Sequence, residues 1–250
     1  MHRFFVDPAE SGKDVIELSE REAHHGANVV RIREGERVAA LDGKGSELAC
    51  TVQSVSKRGV TLAVYQRNTI PPLPYQLTLV QAIPKGKTME TIVQKAAELG
   101  AFRIVPIITD RTVTQLDEER SESKVEKWNW IAMDAIKQCG SAWLPKISEP
   151  LKPSQYLASA ERADLTLIAS LQSGAKHPRT IFRDFMQEKG RKAKSVSVWV
   201  GPEGDFTPAE INTVLAAGAL PITLGPLVLR SETAAFYCLS MVNYELQSPI

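Results

Sequence analysis

Two Gly-Pro loops near the C-terminus constrain this chain more than any other feature, because each directly follows a short apolar run. Val196 to Val200 lead into Gly201-Pro202-Glu203-Gly204, and Ile222-Thr223-Leu224 lead into Gly225-Pro226. Glycine lets a backbone approach a ligand closely, and proline fixes φ and removes a donor, so both loops are stiff and locally bare. Either loop alone is accounted for as an ordinary strand-to-helix turn. At the ends of neighbouring parallel strands the two would border a crevice, which is where open α/β sheets place ligands.

The helices after these loops are signalled locally. Thr207-Pro208-Ala209-Glu210 is a capping box with proline at the first helical position. Ser231 stands where it can cap the last helix, in which Ala235, Leu239, Val242 and Leu246 form an apolar stripe, expected as core or as a subunit interface.

Upstream, strands and helices alternate: strand Leu77 to Ile83, helix Thr88 to Leu99, strand Ile104 to Ile108, helix Val125 to Gln138, strand Leu165 to Ala169, helix Thr180 to Glu188, strand Val196 to Val200. Alternation of this kind implies a parallel sheet with helices on both faces. The segment Thr69-Ile70-Pro71-Pro72-Leu73-Pro74 interrupts it with three prolines and marks a domain boundary, giving domains 1–70 and 71–250. The first of these is mainly short strands, His2 to Val6, Val15 to Leu18, Arg37 to Leu41, Leu48 to Val55 and Val60 to Tyr65, with a hairpin turn at Asp42-Gly43-Lys44-Gly45. They suggest a small barrel. One helix interrupts them, opened by a capping box at Ser19 to Glu22 and running toward Val30. His24 and His25 on it point roughly 100° apart, a poor arrangement for joint metal binding.

Charge decides little. Arg3, Arg31, Arg33, Arg37, Lys57, Arg58 and Arg67 could line a phosphate groove, but residues 1–68 hold ten Lys or Arg against ten Asp or Glu, and the whole chain nets +1. An apolar run long enough to span a membrane and a signal-peptide core are both missing from the sequence, so the expected location is cytoplasmic. Cys50, Cys139 and Cys238 lack CxxC spacing and read as reduced thiols, with no metal expected.

The C-terminal motifs GPEGDFTPAE and LGPLVLRSETAA resemble, in order and spacing, the signature GPEGG(F/L)(S/T)xxE then LGxxxLRxETA of the RsmE family. These are 16S rRNA (uracil-N3)-methyltransferases of the SPOUT superfamily. The resemblance extends to HHxxxVVR around His25 and Arg31, to the segment containing Lys85, Lys95, Glu98-Leu99-Gly100, Pro106 and Arg111, and to Gln138-Cys139-Gly140. It implies an α/β fold, a SPOUT-type parallel sheet with a C-terminal trefoil knot, preceded by a small PUA-like β-barrel that binds RNA. It further implies S-adenosylmethionine as cofactor, 16S rRNA of the small ribosomal subunit as partner, and a homodimer.

By the same resemblance Leu171, Gly201, Pro202, Gly204, Leu224, Gly225, Leu229 and Ala234 would hold the cofactor, and Arg3, His25, Arg31, Lys85, Glu98, Arg111 and Gln138 the substrate. Arg230, Glu232 and Glu203 are the candidate catalytic groups: Arg230 to stabilise negative charge on the uracil, Glu232 or Glu203 to order the site or accept a proton. A structural alternative is that Glu232 complements the dipole of the last helix and pairs with Arg230. Beyond Val30, which stands for the leucine of the family's HHxxxVLR, two positions depart from the pattern: Ser141 stands where the family usually has arginine, and Asp205 replaces the second glycine of GPEGG. They keep open a non-enzymatic RNA-binding or ribosome-assembly factor of the same fold. A nucleotide-binding protein unrelated to methylation is disfavoured, since GxGxxG and GxxxxGK[ST] do not occur. If Thr207 caps its helix, Thr207→Ala will lower stability by about 0.5–2 kcal/mol in a denaturant melt.

Overall fold

The computed structural model of the chain describes residues 1–56, 59–112, 118–158, 162–171 and 174–247. It divides into two compact units, Met1–Pro72 with Met133–Leu144, and Leu73–Ala132 with Pro145–Ile250.

The first unit is built on a five-stranded sheet of β1 (Arg3–Phe5), β2 (Val15–Glu17), β3 (Arg37–Leu41), β4 (Ser46–Ser56) and β5 (Gly59–Thr69), in the order β1-β3-β4-β5-β2. β1 runs parallel to β3 and the other pairings are antiparallel. Phe4, Ile16, Val38, Leu48, Cys50, Val52 and Leu62 alternate inward to form its core. The turn from β3 to β4 is closed by the Asp42 carboxylate, which accepts from the backbone N–H groups of Lys44 and Ser46, both at 2.8 Å. Leu144 N–H bonds to Gly43 O, and the Trp143 indole N–H donates to Ile70 O at 2.9 Å, so residues 133–144 belong with these strands.

The helix after Ser19 departs from its expected form. Ser19 accepts from Glu22 N–H at 3.4 Å, but Glu22 does not reach back to complete a capping box. Its buried carboxylate instead accepts from Phe5 N–H at 3.0 Å and pairs with Lys137 at 2.6 Å. α1 covers only Glu20–His24, and His25–Val30 form a π-helical turn that Arg31 ends with a left-handed φ of 60°. The wide turn lets Gly26 pack against Phe4 and Ile32, where a Cβ would lie 3.1 Å from each side chain.

The second unit holds six parallel strands in the order β11-β9-β10-β6-β7-β8. In chain order its elements are β6 (Gln76–Ala82), α2 (Thr88–Glu98), β7 (Arg103–Ile107), α3 (Glu118–Cys139, which enters the first unit at Met133), β8 (Lys146–Ile147), α4 (Pro153–Ala158), β9 (Leu165–Ala169), α5 (Pro178–Lys189), β10 (Ser195–Val200), α6 (Pro208–Ala216), β11 (Leu220–Ile222) and α7 (Ser231–Gln247). The central strands are apolar on both faces, as parallel sheets covered by helices require. Trp199 on β10 is fully buried and takes edge contacts from Tyr156 and Phe206, at 5.5 and 6.3 Å between centroids.

Three expectations are corrected here. β11 ends at Ile222, so Thr223 and Leu224 already lie in the loop; Pro221 is tolerated because β11 is an edge strand. The α7 stripe of Ala235, Leu239, Val242 and Leu246 is buried within this chain against α2, β6 and β10, so it is core and not a subunit interface. α3 begins seven residues before the predicted Val125, through a polar first half that carries no apolar period. The expected Thr207 capping box is present in full.

At the strand-start edge Asp164 accepts from both terminal nitrogens of the Arg191 guanidinium, at 2.8 and 3.0 Å, and from Lys194 N–H at 2.7 Å. The Arg191 hydrogen bond, helped by Lys194, holds its carboxyl well below the usual carboxylate range. A depressed folded pKa contributes stability that is full above the unfolded value and fades as pH falls through the folded one. Asp164→Asn will therefore lower Tm at neutral pH, and the gap to the native chain will narrow as pH drops below about 4. A pH-independent gap in thermal melts would contradict this.

Candidate active site at the strand ends

Because the six strands are parallel, the loops leaving β11, β9, β10, β6 and β7 emerge along one edge of the sheet. The loop after β10 is pinned from below. Ser231 Oγ donates to Gly201 O at 2.7 Å and accepts from Gln81 Nε2 at 2.9 Å, and Gln81 is fully buried on β6. Ser231 is thus the first residue of α7 and a brace to Gly201, not the helix cap expected; Arg230 O accepts from Ala234 N–H to open the helix.

The same loop is braced from the side. Glu203 accepts from Lys85 N–H at 3.0 Å, and the Arg111 guanidinium donates to Gly204 O. Glu210 accepts from Asp110 N–H at 2.9 Å with one oxygen and from Thr207 N–H at 2.8 Å with the other. Lys85, Arg111, Glu203 and Gly204 therefore form one hydrogen-bonded group.

Asp205 has φ of 60°, a left-handed conformation that suits glycine and that Asp adopts more readily than most side chains. Its carboxylate accepts from Phe206 N–H at 2.8 Å, so its charge is turned into its own loop. A Cβ on Gly201 would meet that carboxylate at 3.0 Å and the Phe206 ring at 3.4 Å, which explains glycine there. Ser141 likewise serves its own turn, with its hydroxyl bonded to both O and N–H of Trp143 at 3.0 and 3.1 Å.

The loop after β11 is held at its base, where Thr223 Oγ1 accepts from Gly225 N–H at 3.2 Å and donates to Gly225 O at 3.4 Å, and Thr223 N–H donates to Lys176 O at 3.1 Å. Gly225 has φ of 107° and open space where a Cβ would stand. Beyond it Leu227 and Val228 are 72% and 77% exposed, and Leu171, past the end of β9, is 65% exposed. Leu224 and Leu229 are half-buried and Ala234 is buried on the first turn of α7. Gln172, the residue after Leu171, lies outside the described residues. Among the described residues Arg230 and Glu232 make no ion pair, so the expected Arg230–Glu232 pairing is not found.

Of the remaining candidates in the second unit, Glu98 is not gathered here. Glu98 ends α2, which runs back along the sheet from the strand-end edge, and it pairs with Lys95 at 2.8 Å. Arg3, His25, Arg31 and Gln138 lie in the first unit. There the Arg3 guanidinium donates to Lys137 O and Gln138 O at 3.3 and 3.5 Å and packs on Gly140, where a Cβ would lie 2.9 Å from it. His25 opens the π-helical turn, Arg31 closes it, and the Gln138 side chain is exposed. Of the supposed phosphate groove, Arg67 is tied to Gly12 O, Lys13 O and Asp14, and Lys57 and Arg58 lie outside the described residues. Gln81 escaped the sequence reading, a lone amide in the apolar run LTLVQAI being the available signal, and Glu210, read as a capping-box member, was not foreseen to reach Asp110 as well.

No group of three or more His, Cys, Asp or Glu residues is arranged to hold a metal among the described residues, and none of the described helices is long and apolar enough to cross a membrane. Residues 71–243 match the family model of an RNA methyltransferase domain, and residues 18–65 that of an RNA methyltransferase PUA domain. Fold and strand-end site together define an RNA methyltransferase domain with a PUA domain ahead of it. Ribosomal RNA small subunit methyltransferase E of Bacillus subtilis is 30% identical over 251 residues, covering 99% of this chain and 98% of the relative. The chain belongs to the ribosomal RNA small subunit methyltransferase E family.

Two solved structures are similar over nearly the whole chain. A Legionella pneumophila protein in complex with the bound cofactor SAM is 30% identical with a TM-score of 0.86, covering 96% of each chain. Ribosomal RNA small subunit methyltransferase E from Neisseria gonorrhoeae, bound to S-adenosyl methionine, is 25% identical with a TM-score of 0.83, covering 97% of each.

Removing the Ser231 hydroxyl leaves Gly201 O and the Gln81 amide without their shared partner in a buried setting. Ser231→Ala will cost about 1–3 kcal/mol in denaturant unfolding, whereas a loss under half a kcal/mol would show that the brace is dispensable.

Proposed function

We propose that this protein is an S-adenosylmethionine-dependent methyltransferase that acts on N3 of a uridine in 16S rRNA of the small ribosomal subunit. Membership in the family supports the reaction class. The observation that carries the site is the strand-end edge, where exposed Leu171, Leu227 and Val228 and the open left-handed Gly225 adjoin the braced Gly201-Pro202 loop.

These residues fit an adenosyl group. Leu171, Leu224 and Leu229 supply apolar surface for a purine ring, and backbone groups of Gly201, Pro202, Gly204 and Gly225, with the small Ala234 beneath, can meet its edge and ribose without a side chain intervening. When bound, S-adenosylmethionine supplies an electrophilic methyl group on a cationic sulfur. The protein's share is to hold N3 in line and to manage its proton, with positioning worth up to roughly 7–11 kcal/mol and a general base about 10²–10⁴-fold.

Arg230 is exposed and unpaired among the described residues, suited to stabilising negative charge on the uracil as N3 loses its proton. Glu203 is engaged with Lys85 N–H and orders the loop, which leaves Glu232 as the carboxylate to accept the proton. Lys85 and Arg111 stand beside Glu203 and Gly204 as substrate-side groups, with Arg3, His25, Arg31, Gln138 and Glu98 as further RNA contacts.

The division at residues 1–70 and 71–250, a trefoil knot formed by the C-terminal segment, and a cytoplasmic location complete the reading. A homodimer would use the outer face of α7, where Tyr237 and Tyr244 are 46% and 73% exposed.

Calorimetry will show S-adenosylmethionine binding. Arg230→Ala and Glu232→Gln will each lower kcat on a small-subunit substrate by about 10²–10⁴-fold with Tm unchanged. Unchanged turnover with a lowered Tm would remove both from the chemistry, and retained RNA affinity without cofactor binding would favour an assembly factor.

A further inference from the structure

A further concave feature of the second unit leads from near the root of the loop after β11 toward the strand-start edge. It is a cleft of about 480 Å³ between α5 and the last turns of α7, a volume in the range of small-ligand sites. Phe182, Met186, Ala193 and Leu246 contribute apolar lining; His177, Arg179, Thr180, Arg183, Lys192 and Glu245 make up the polar part.

The charge here is unlike the rest of the chain. Residues 176–194 carry seven Lys or Arg against Asp184 and Glu188, a local net of +5 in a protein whose total is +1. Some of these cations are committed: Arg191 to Asp164, Lys189 to Glu188, and Lys192 Nζ to Leu246 O at 3.3 Å. Arg179 is exposed and has no side-chain partner among the described residues, and Arg183 meets only the adjacent Asp184, at 3.4 Å and well exposed. Surface pairs of that kind hold a cation weakly.

Arg179 and Arg183 stand four residues apart on one helix face, with Met186 following three residues later. Like charges at that spacing repel and weaken a helix unless an anion lies between them. Their Cα atoms are about 6 Å apart along the axis, a step comparable to that between successive phosphates of a nucleic-acid strand. Only the His177–Arg179 end of the cleft lies near the proposed active site; its other end, at Lys192 and Leu246, lies at the strand-start edge. Lys176, one residue before the His177 cap of α5, bonds to β11 through Pro221 O and receives Thr223 N–H, at the root of the Gly225 loop.

We infer that this cleft binds single-stranded RNA leading away from the nucleotide in the active site, with Arg179 and Arg183 on consecutive phosphates and a base over the apolar lining. Glu245 provides an acceptor suited to an exocyclic amino group of that base. The inference rests on the RNA methyltransferase reading and adds to it a contact that the family motifs do not include.

The test is the salt dependence of affinity for a short fluorescein-labelled single-stranded oligoribonucleotide, measured by anisotropy. Each phosphate contact contributes a slope of about −0.7 in log K against log salt, so the double variant Arg179→Ala/Arg183→Ala will bind more weakly with a slope shallower by about 1.4. Arg179→Lys/Arg183→Lys will keep the slope. Lys152→Ala/Arg162→Ala removes the same charge from exposed positions elsewhere in the unit and will leave it unchanged. S-adenosylmethionine binding in every variant reports the fold and the cofactor site separately.

An unaltered slope in Arg179→Ala/Arg183→Ala, or an equal loss in the control pair, overturns the inference while leaving the methyltransferase reading intact. A change in sedimentation mass in place of the RNA slope also overturns it, by assigning the cleft to a second copy of the chain. A native chain that binds neither RNA nor cofactor overturns both readings.

Discussion

The relay from Gln81 through Ser231 to Gly201 is the constraint on which the strand-end site depends. It joins the C-terminal end of β6, the start of α7 and the first residue of the Gly-Pro loop, with Gln81 and Ser231 buried and Gly201 half-buried. In such surroundings a hydrogen bond is expensive to leave unmade, so each member fixes the others. The packing of α7 supports the relay: Ala235, Cys238, Leu239 and Val242 are fully buried, and the helix that carries Ser231 has little freedom to shift. The glycines of the loop can then stay bare, because rigidity comes from beneath.

Around that anchor the loops brace one another sideways, through Glu203 to Lys85, Arg111 to Gly204 and Glu210 to Asp110. Three strands' worth of loops are thereby set before any ligand arrives, and preorganisation of this kind reduces the ordering cost of binding. The Gly225 loop is the exception. Its internal bonds, both between Thr223 and Gly225, are at its base, and exposed aliphatic side chains lie beyond it, as expected of the part of a site that adapts to what it holds.

Much of this was legible in the sequence because it is local. The capping box at Thr207, the alternation of apolar strands with amphipathic helices, and the Asp42 turn follow from patterns within a few residues. What escaped was non-local. The carboxylate of Glu22 has the sequence of a capping-box member but the position of a buried partner for Lys137, a residue 115 positions away. The α7 stripe has the same pattern whether it meets the chain's own sheet or another subunit, and only the topology decides. Among the candidate site residues, Lys85, Arg111, Glu203 and Gly204 converge, whereas helix direction carries Glu98 away from them. Gln81 looked like one polar residue in an apolar run, since its importance lies in Ser231, 150 positions later.

Asp205 shows how a departure from a glycine pattern can be absorbed. Glycine would adopt the left-handed backbone without strain but would lose more conformational freedom on folding. Aspartate accepts some strain and recovers part of it by clasping Phe206 N–H, while its carboxylate occupies the space over Gly201. The two positions are consequently coupled: a side chain is admissible at 205 only while 201 has none, so substitutions here would be inherited as a pair and judged wrongly if scored one at a time.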